Sequence, residues 1–114
     1  MVSHLDKKNN PIMVDIAKKN LTQRIAEAEG EVIFDTNSFK KIESLKSKKG
    51  SIKNIAIIAG IMGAKETSRL IPLCHNIPID SVNIEISKNI EKTRIIVKAT
   101  VKTNSKTGVE MEAL

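Results

Sequence analysis

The sequence predicts an α+β fold in which helices cover one face of an antiparallel sheet. Two observations support this prediction. One long segment, about residues 51–71, carries apolar residues at helical spacing, and two later segments alternate between apolar and polar residues. A helix turns the same face to its neighbours every three or four residues, whereas a strand does so every second residue. Helices and half-buried strands within one short chain are typical of the α+β class.

The two alternating segments are predicted to form a hairpin. In each of them every second residue is apolar, which is typical of antiparallel strands with one buried face. The polar residues 88–92 between the segments suit a hairpin loop. The residues expected to face the core are Val82, Ile84 and Ile86 in the first strand and Ile95, Val97, Ala99 and Val101 in the second.

The long helix is predicted to be buried on more than one side. One set of apolar residues lies at helical spacing, and a second set extends the apolar surface around the helix. Pro72 follows and ends the helix, because proline lacks the N–H group that a further turn needs. The two sets are Ile55, Ile58, Ala59 and Met62, and then Ile57, Ile61 and Ala64.

The first half of the chain is harder to assign. Residues 31–35 are typical of a short strand, and either Asn37 or Ser38 is expected to cap a following helix. Residues 46–50 are predicted to be a lysine-rich loop, whereas residues 18–30 fit neither pattern clearly. The resulting order of strand, helix, helix, strand and strand is closest to the ferredoxin-like arrangement, which has one more helix and one more strand.

Length and composition limit the possible classes of protein. We expect a single domain over residues 1–114, with residues 1–11 as a polar, loosely held arm. The formal net charge of +6 attracts nucleic acid, acidic membranes or phosphorylated small molecules, and does not choose among them. Cys74 is the only cysteine, so no internal disulfide forms and a reducing cytoplasm is the expected compartment. No stretch is apolar enough to cross a membrane.

The lysine-rich loop before the long helix is one candidate for anion binding. A helix N-terminus exposes unpaired N–H groups, and nearby lysines add positive charge. The stretch lacks the glycine spacing of a phosphate-binding P-loop, however. On composition alone, a solvated basic loop is the favoured interpretation.

Cys74 and His75 lie in an apolar loop between two prolines. A histidine in this setting can exchange a proton near neutral pH. Adjacent side chains on an extended chain point to opposite faces, so we expect Cys74 and His75 not to contact each other. An inert, buried thiol is then the favoured role for Cys74. These two residues and His4 provide no second pair of zinc ligands, so no metal site is predicted.

Glu110 and Glu112 allow two interpretations. On an extended chain they lie on one face, where two close carboxylates suit acid–base chemistry. In a helix they diverge and act as ordinary charges near a helix N-terminus. Weaker candidates are Asp15, a carboxylate in an apolar run that needs a partner, and Arg24 and Lys65 as partners or anion binders.

Several stretches together carry a more specific signal. They are Met13-Val14-Asp15, Ile58-Ala59-Gly60-Ile61, Ala64-Lys65 with Thr67, Leu70-Ile71-Pro72-Leu73-Cys74-His75, and Lys106-Thr107-Gly108-Val109-Glu110-Met111-Glu112-Ala113-Leu114. In this order and at these intervals they resemble the family of cyclic pyranopterin monophosphate synthases (molybdenum cofactor biosynthesis protein C). The resemblance covers nearly the whole chain.

The resemblance implies a fold, an assembly and an activity. The fold is ferredoxin-like, and the assembly is a homohexamer, a trimer of dimers with active sites at subunit interfaces. The enzyme converts 3′,8-cyclo-7,8-dihydro-GTP into cyclic pyranopterin monophosphate and releases pyrophosphate, without a cofactor. Neither a membrane nor nucleic acid is then an expected partner. The alternative is a non-catalytic basic ferredoxin-like module that binds nucleic acid or a protein, although the scarcity of aromatic residues and the lack of a known motif count against nucleic acid.

The resemblance also assigns site residues at the matched positions. Lys49, Arg24 and His75 are expected to bind the triphosphate and offset charge as pyrophosphate leaves. Glu110 and Glu112 are expected to position the pterin or assist proton transfer, and Lys49 is a further candidate general acid or base. The catalytic set is Lys49, His75, Glu110 and Glu112, and the substrate-binding set is Asp15, Arg24, Lys65, Cys74, His75, Met111 and Glu112.

The chain departs from the family at its end. The family continues into a long helix and a final strand, which contribute an Asp-x-x-Lys pair and a later lysine to the site. Met111 and Leu114 are apolar and are typical of the opening of a further element. We therefore expect the natural chain to continue beyond Leu114 and this one to lack part of the site.

Overall fold

In the computed structural model, one three-stranded antiparallel sheet supports the helices. The structure describes residues 5–44, 46–47 and 50–114. In chain order the elements are β1 (Thr22–Ile33), α1 (Thr36–Ile42), β2 (Lys46–Ser47), β3 (Gly50–Ser51), α2 (Ile52–Leu70), β4 (Ser81–Asn89), β5 (Arg94–Ser105) and α3 (Glu110–Ala113). The sheet has the order β1-β5-β4, and β2 and β3 form a separate hairpin. The predicted α+β class is confirmed, and the topology fits a ferredoxin-like arrangement.

The core lies between one face of the sheet and helices α2 and α3. Val101 of β5 is fully buried, and it lies opposite Ala26 of β1 and Val82 of β4. Val109 and Ala113, at the two ends of α3, are buried with Val101 in one cluster. The predicted hairpin of β4 and β5 is confirmed, because both strands turn their apolar residues toward the helices.

β1 is longer than predicted. The prediction of a short strand at residues 31–35 is wrong in its bounds, because the strand includes most of the unassigned stretch 18–30. Arg24, Ala26 and Ala28 are half-buried, and the residues between them are exposed. Alanine and charged residues have low strand propensity, so pairing with β5 rather than local preference decides the conformation here.

The residue that caps α1 is Asp35, and the prediction of Asn37 or Ser38 is wrong. The Asp35 carboxylate accepts a hydrogen bond from the backbone N–H of Ser38 at 2.7 Å, which satisfies a free amide of the first turn. This hydrogen bond to the charged form lowers the pKa of the Asp35 carboxyl. The sequence interpretation assigned Asp35 to the preceding strand and therefore placed the cap too late.

The lysine-rich segment is partly paired. Lys46 and Ser47 pair with Ser51 and Gly50 across a short hairpin, so the prediction of a loop over residues 46–50 is wrong at its ends. Gly50 has a φ of +112°, a backbone conformation that other residues rarely adopt.

α2 has nearly the predicted bounds and packs closely on the sheet. The hydroxyl of Ser51 accepts a hydrogen bond from the N–H of Asn54 at 3.1 Å and caps the helix. Gly60 faces β4, and a Cβ at this position would lie 3.0 Å from two side-chain carbons of Ile84. The lack of a side chain at Gly60 therefore sets how closely the helix approaches the strand.

The other face of α2 is uncovered, so the prediction of burial on more than one side is wrong for the single chain. The sheet covers only one side of the helix, on which Ala64 and Thr67 are buried. Ile55, Ile58 and Met62, which we term the α2 stripe, are 49%, 57% and 60% exposed. Even so, no helix in the described part of the chain is long and apolar enough to span a membrane.

We expect Gly60→Ala to destabilise the protein, although alanine favours helices. The added methyl group would press on the buried Ile84, and such overpacking costs roughly 1–3 kcal/mol against a gain in helix propensity of about 1 kcal/mol. Gly63→Ala is the control, because nothing lies within 4 Å of its added Cβ. The control should gain about 1 kcal/mol of unfolding free energy in urea titrations. Equal stabilisation by both substitutions would contradict close packing at Gly60.

Candidate functional site

A cleft of about 420 Å³ lies between the loop that follows α2 and the segment that leads into α3. The two walls come from distant parts of the sequence, residues 71–75 and residues 107–112. Five of the residues assigned to the site from sequence line this cleft together. They are Cys74, His75, Glu110, Met111 and Glu112.

The turn after β5 and the core residues of α3 hold this wall of the cleft in place. β5 ends at Ser105, whose hydroxyl donates a hydrogen bond to the carbonyl of Thr107 at 2.6 Å and so turns the chain. Val109 and Ala113 then anchor α3 in the core, with 1% and 6% of their surface exposed. Glu112 lines the cleft and is also buried, with 8% of its surface exposed.

The opposite wall is a tight turn after α2. The backbone N–H of Cys74 donates to the carbonyl of Ile71 at 3.4 Å, and Leu73 has a φ of +67°. A positive φ is uncommon for a residue with a side chain, so the surrounding contacts hold this turn in shape. The turn directs both Cys74 and His75 into the cleft.

The Cys74 thiol lies beside the Glu112 carboxylate. Its Sγ atom is 3.8 Å from Oε2 of Glu112, with a geometry that allows the thiol to donate a weak hydrogen bond. Burial raises the pKa of the Cys74 thiol, and the negative charge of Glu112 raises it further. A protonated thiol is a poor nucleophile, so this environment favours a donor role for Cys74 over a nucleophilic one.

Glu110 and Glu112 diverge, which decides between the two interpretations left open by the sequence. The stretch is helical, so Glu112 is buried while Glu110 is exposed. The Glu110 carboxylate folds back against Gly108 and occupies the space that a Cβ at Gly108 would fill. Gly108 was not assigned to the site from sequence, although a glycine two residues before a candidate acid is a usable signal.

His75 is held by backbone rather than by a side chain. Its Nε2 atom lies 2.6 Å from the carbonyl oxygen of Val14, in the segment that precedes β1. This contact could not be predicted from the sequence, because any residue at position 14 offers the same carbonyl. The Cys74 Sγ atom also lies 3.8 Å from the carbonyl oxygen of His75, so the prediction that these two residues do not contact each other is wrong for the His75 backbone. No hydrogen bond joins their two side chains in the described structure.

The remaining predicted site residues lie outside the cleft lining. Asp15 is exposed, and the partner that this carboxylate was expected to need is the backbone N–H of Ala17, at 2.9 Å, rather than Arg24 or Lys65. Its apolar neighbours alternate between exposed and half-buried, and Asp15 takes an outward position. Lys65 is exposed and lines a second cleft of about 410 Å³, beside Asp80. Lys49 lies outside the described residues.

Arg24 lies on β1, on the side of the sheet that carries the helices. Its Nη2 atom donates to the carbonyl of Lys106 at 3.5 Å, just before the wall that contains α3. Its Nε atom is buried and has no hydrogen-bond partner among the described residues. In residues 5–44, 46–47 and 50–114, no three His, Cys, Asp or Glu side chains are grouped as a metal site would require.

The contact between Cys74 and Glu112 predicts how fast the thiol reacts. Glu112→Gln should speed alkylation of Cys74 by iodoacetamide between pH 7 and 9. Removal of the negative charge lowers the thiol pKa and increases the thiolate fraction at a given pH. Glu110→Gln is the control, since this carboxylate lies against Gly108 instead. An equal increase in both variants would show that the thiol does not respond to Glu112.

Comparison with known proteins identifies the family. The model of the MoaC family matches residues 13–114. Cyclic pyranopterin monophosphate synthase of Campylobacter jejuni (serotype O:6, strain 81116) is 46% identical over 113 residues, which are 99% of this chain and 72% of that protein. The synthases of Campylobacter lari RM2100 and Helicobacter pylori G27 are each 47% identical, covering 99% and 100% of this chain and 72% of their own lengths. The chain belongs to the MoaC family.

Proposed function

We propose that this protein is a cyclic pyranopterin monophosphate synthase of molybdenum cofactor biosynthesis. Its substrate would be 3′,8-cyclo-7,8-dihydro-GTP, and the reaction would release pyrophosphate. Similar proteins carry this name at 46–47% identity across the chain. The observation that carries the proposal is the cleft in which an imidazole, a thiol and two carboxylates from distant segments meet.

The roles of the cleft residues follow from their chemistry. Glu112 is a buried carboxylate that forms no ion pair within the described part of the chain, so it suits a ligand with N–H donors such as the amino-pyrimidinone ring of a pterin. Glu110 is exposed at the cleft rim and would assist proton transfer there. His75 would transfer a proton or offset negative charge.

The triphosphate needs more positive charge than the cleft itself offers. None of the described residues that line the cleft is a lysine or an arginine. Arg24 contacts the backbone of Lys106, just before the wall that contains α3. We propose that Lys49 and cations of a neighbouring subunit complete the phosphate site. This requirement is consistent with an active site at a subunit interface.

We propose a homohexameric assembly of these subunits in the cytoplasm. The α2 stripe is a row of half-exposed Ile and Met side chains on the longest helix, and exposed apolar rows of this kind mark protein interfaces. The single thiol is compatible with a reducing compartment. An interface at α2 would also bring a second subunit close to the loop that forms one wall of the cleft.

Product formation is the direct test of this function. Incubation with 3′,8-cyclo-7,8-dihydro-GTP should yield cyclic pyranopterin monophosphate and pyrophosphate, detected by mass spectrometry and a coupled pyrophosphate assay. His75→Ala should lower turnover at least about 100-fold, the usual contribution of an acid–base group. Gly108→Ala should lower it roughly 10- to 100-fold, because the added methyl group displaces the Glu110 carboxylate.

The matched control for Gly108→Ala is Gly30→Ala on β1, where nothing lies within 4 Å of the added Cβ. That variant should keep full turnover. Absence of product with the unaltered protein, together with salt-sensitive binding to RNA, would replace the synthase with a basic nucleic-acid-binding module. Normal turnover in His75→Ala would remove the imidazole from the mechanism.

The proposed assembly predicts the effect of a charge in the α2 stripe. Ile58→Glu should dissociate the oligomer, because a carboxylate would be buried among apolar residues at the interface. Asn83→Glu adds the same charge at an exposed position of β4, on the face of the sheet that points away from α2, and should leave the oligomer intact. Sedimentation velocity measures both. A protein that is monomeric without substitution, or an unchanged oligomer in Ile58→Glu, would exclude this face as an interface.

A further inference from the structure

Residues 12–17, which we term the N-terminal strap, form neither helix nor strand and contact His75 of the cleft wall. Val14 and Ile16 are half-buried, and the other strap residues are exposed. Two backbone carbonyls attach the strap to the two sides of the site. The carbonyl of Val14 accepts from His75 Nε2 at 2.6 Å, and that of Ala17 accepts from Lys106 Nζ at 3.3 Å.

Asp15 lies between these two attachments. Its side chain is exposed and does not line the cleft. One carboxylate oxygen accepts the hydrogen bond from the N–H of Ala17 at 2.9 Å, a local turn that fixes the backbone from residue 15 to residue 17. The carboxylate therefore fixes the backbone that connects the two carbonyls.

The contact with Val14 determines where the His75 imidazole carries its proton. A backbone carbonyl can only accept a hydrogen bond, so Nε2 of His75 must be the donor. In the neutral ring the lone pair is then on Nδ1, and this atom has no hydrogen bond in the described structure. The strap thereby selects one tautomer and leaves Nδ1 as the atom that can accept a proton.

We propose that Asp15 is a positioning residue that acts through the strap to hold His75 as the Nε2–H tautomer, rather than a residue that binds substrate. The part of this inference that concerns turnover rests on the proposed function. The tautomer itself is a property of the protein alone. Its measurement therefore remains decisive if the protein has a different activity.

Asparagine and alanine distinguish the two possible roles of Asp15. Asp15→Asn keeps an oxygen that can accept from Ala17 N–H but removes the charge, whereas Asp15→Ala removes both. A positioning residue is rescued by asparagine, and a residue that binds through its charge is not. The matched control is Asp6→Ala, because Asp6 accepts from Lys8 and Asn10 N–H groups at 2.8 Å in a similar turn that does not contact His75.

The decisive measurement is ¹⁵N NMR of the imidazole in the full-length chain. The chain has two histidines, so a His4→Gln background leaves His75 as the only ring in the spectrum. Asp15→Ala should lower the ratio of Nε2–H to Nδ1–H tautomer roughly fivefold, the effect expected from weakening one hydrogen bond. Asp15→Asn and Asp6→Ala should leave the ratio unchanged. Turnover should fall with the tautomer ratio in Asp15→Ala and stay within about twofold in Asp15→Asn.

Lys106→Met provides a second route to the same result. It removes the other attachment of the strap while keeping a side chain of similar length, and it should shift the His75 tautomer in the same direction as Asp15→Ala. An unchanged tautomer in both Asp15→Ala and Lys106→Met would overturn the proposal. So would a loss of turnover in Asp15→Asn with an unchanged tautomer, since Asp15 would then act through its charge.

Discussion

The burial of Val109 and Ala113 beneath α3 is the interaction on which the cleft depends. A helix of four residues has little stability of its own, so tertiary packing must hold it. Val109 and Ala113 lie one turn apart and are joined by a backbone hydrogen bond of 3.0 Å, and both pack on Val101. This side of the turn faces the core, and the cluster holds in place a helix on which Glu112 is buried and Glu110 is exposed.

The parts of the fold predicted correctly from sequence are those in which periodicity and burial agree. β4 alternates between exposed and buried or half-buried residues from Ser81 to Ser87, and β5 does so from Val101 to Ser105, whereas residues 94–100 of this central strand are at least half-buried on both faces. β1 was predicted only in part, because its inward positions are occupied by Arg24, Ala26 and Ala28, and only the register with β5 makes them a strand. α2 was predicted with nearly the right bounds, but its burial was overestimated, since apolar residues surround it and the sheet covers only one side. The spacing of apolar residues shows how apolar each face of a helix is, but it does not show which neighbouring element covers that face.

The candidate site was also predicted only in part. Side chains with distinctive chemistry, such as Cys74, His75 and Glu112, could be chosen from sequence, and they line one cleft. The helical conformation of residues 110–113 could not be predicted from the sequence, because it depends on which apolar residues pack in the core. The contact that holds His75 could not be found either, since the carbonyl of Val14 is common to every residue type. Backbone groups are the same in every residue type and leave no pattern in the sequence, although here one backbone carbonyl holds the His75 imidazole.

The distribution of charge connects the proposed reaction to the assembly. The chain carries a formal net charge of +6, yet the cleft lining among the described residues holds two carboxylates and neither lysine nor arginine. Several cations lie elsewhere, as Lys98 and Arg94 do, where they pair with glutamates. A triphosphate repels carboxylates and needs donors of opposite charge within a few ångströms. A site that binds both a pterin ring and a triphosphate therefore cannot be built from the described cleft walls alone. It must draw its cations from other segments of the protein or from a second subunit.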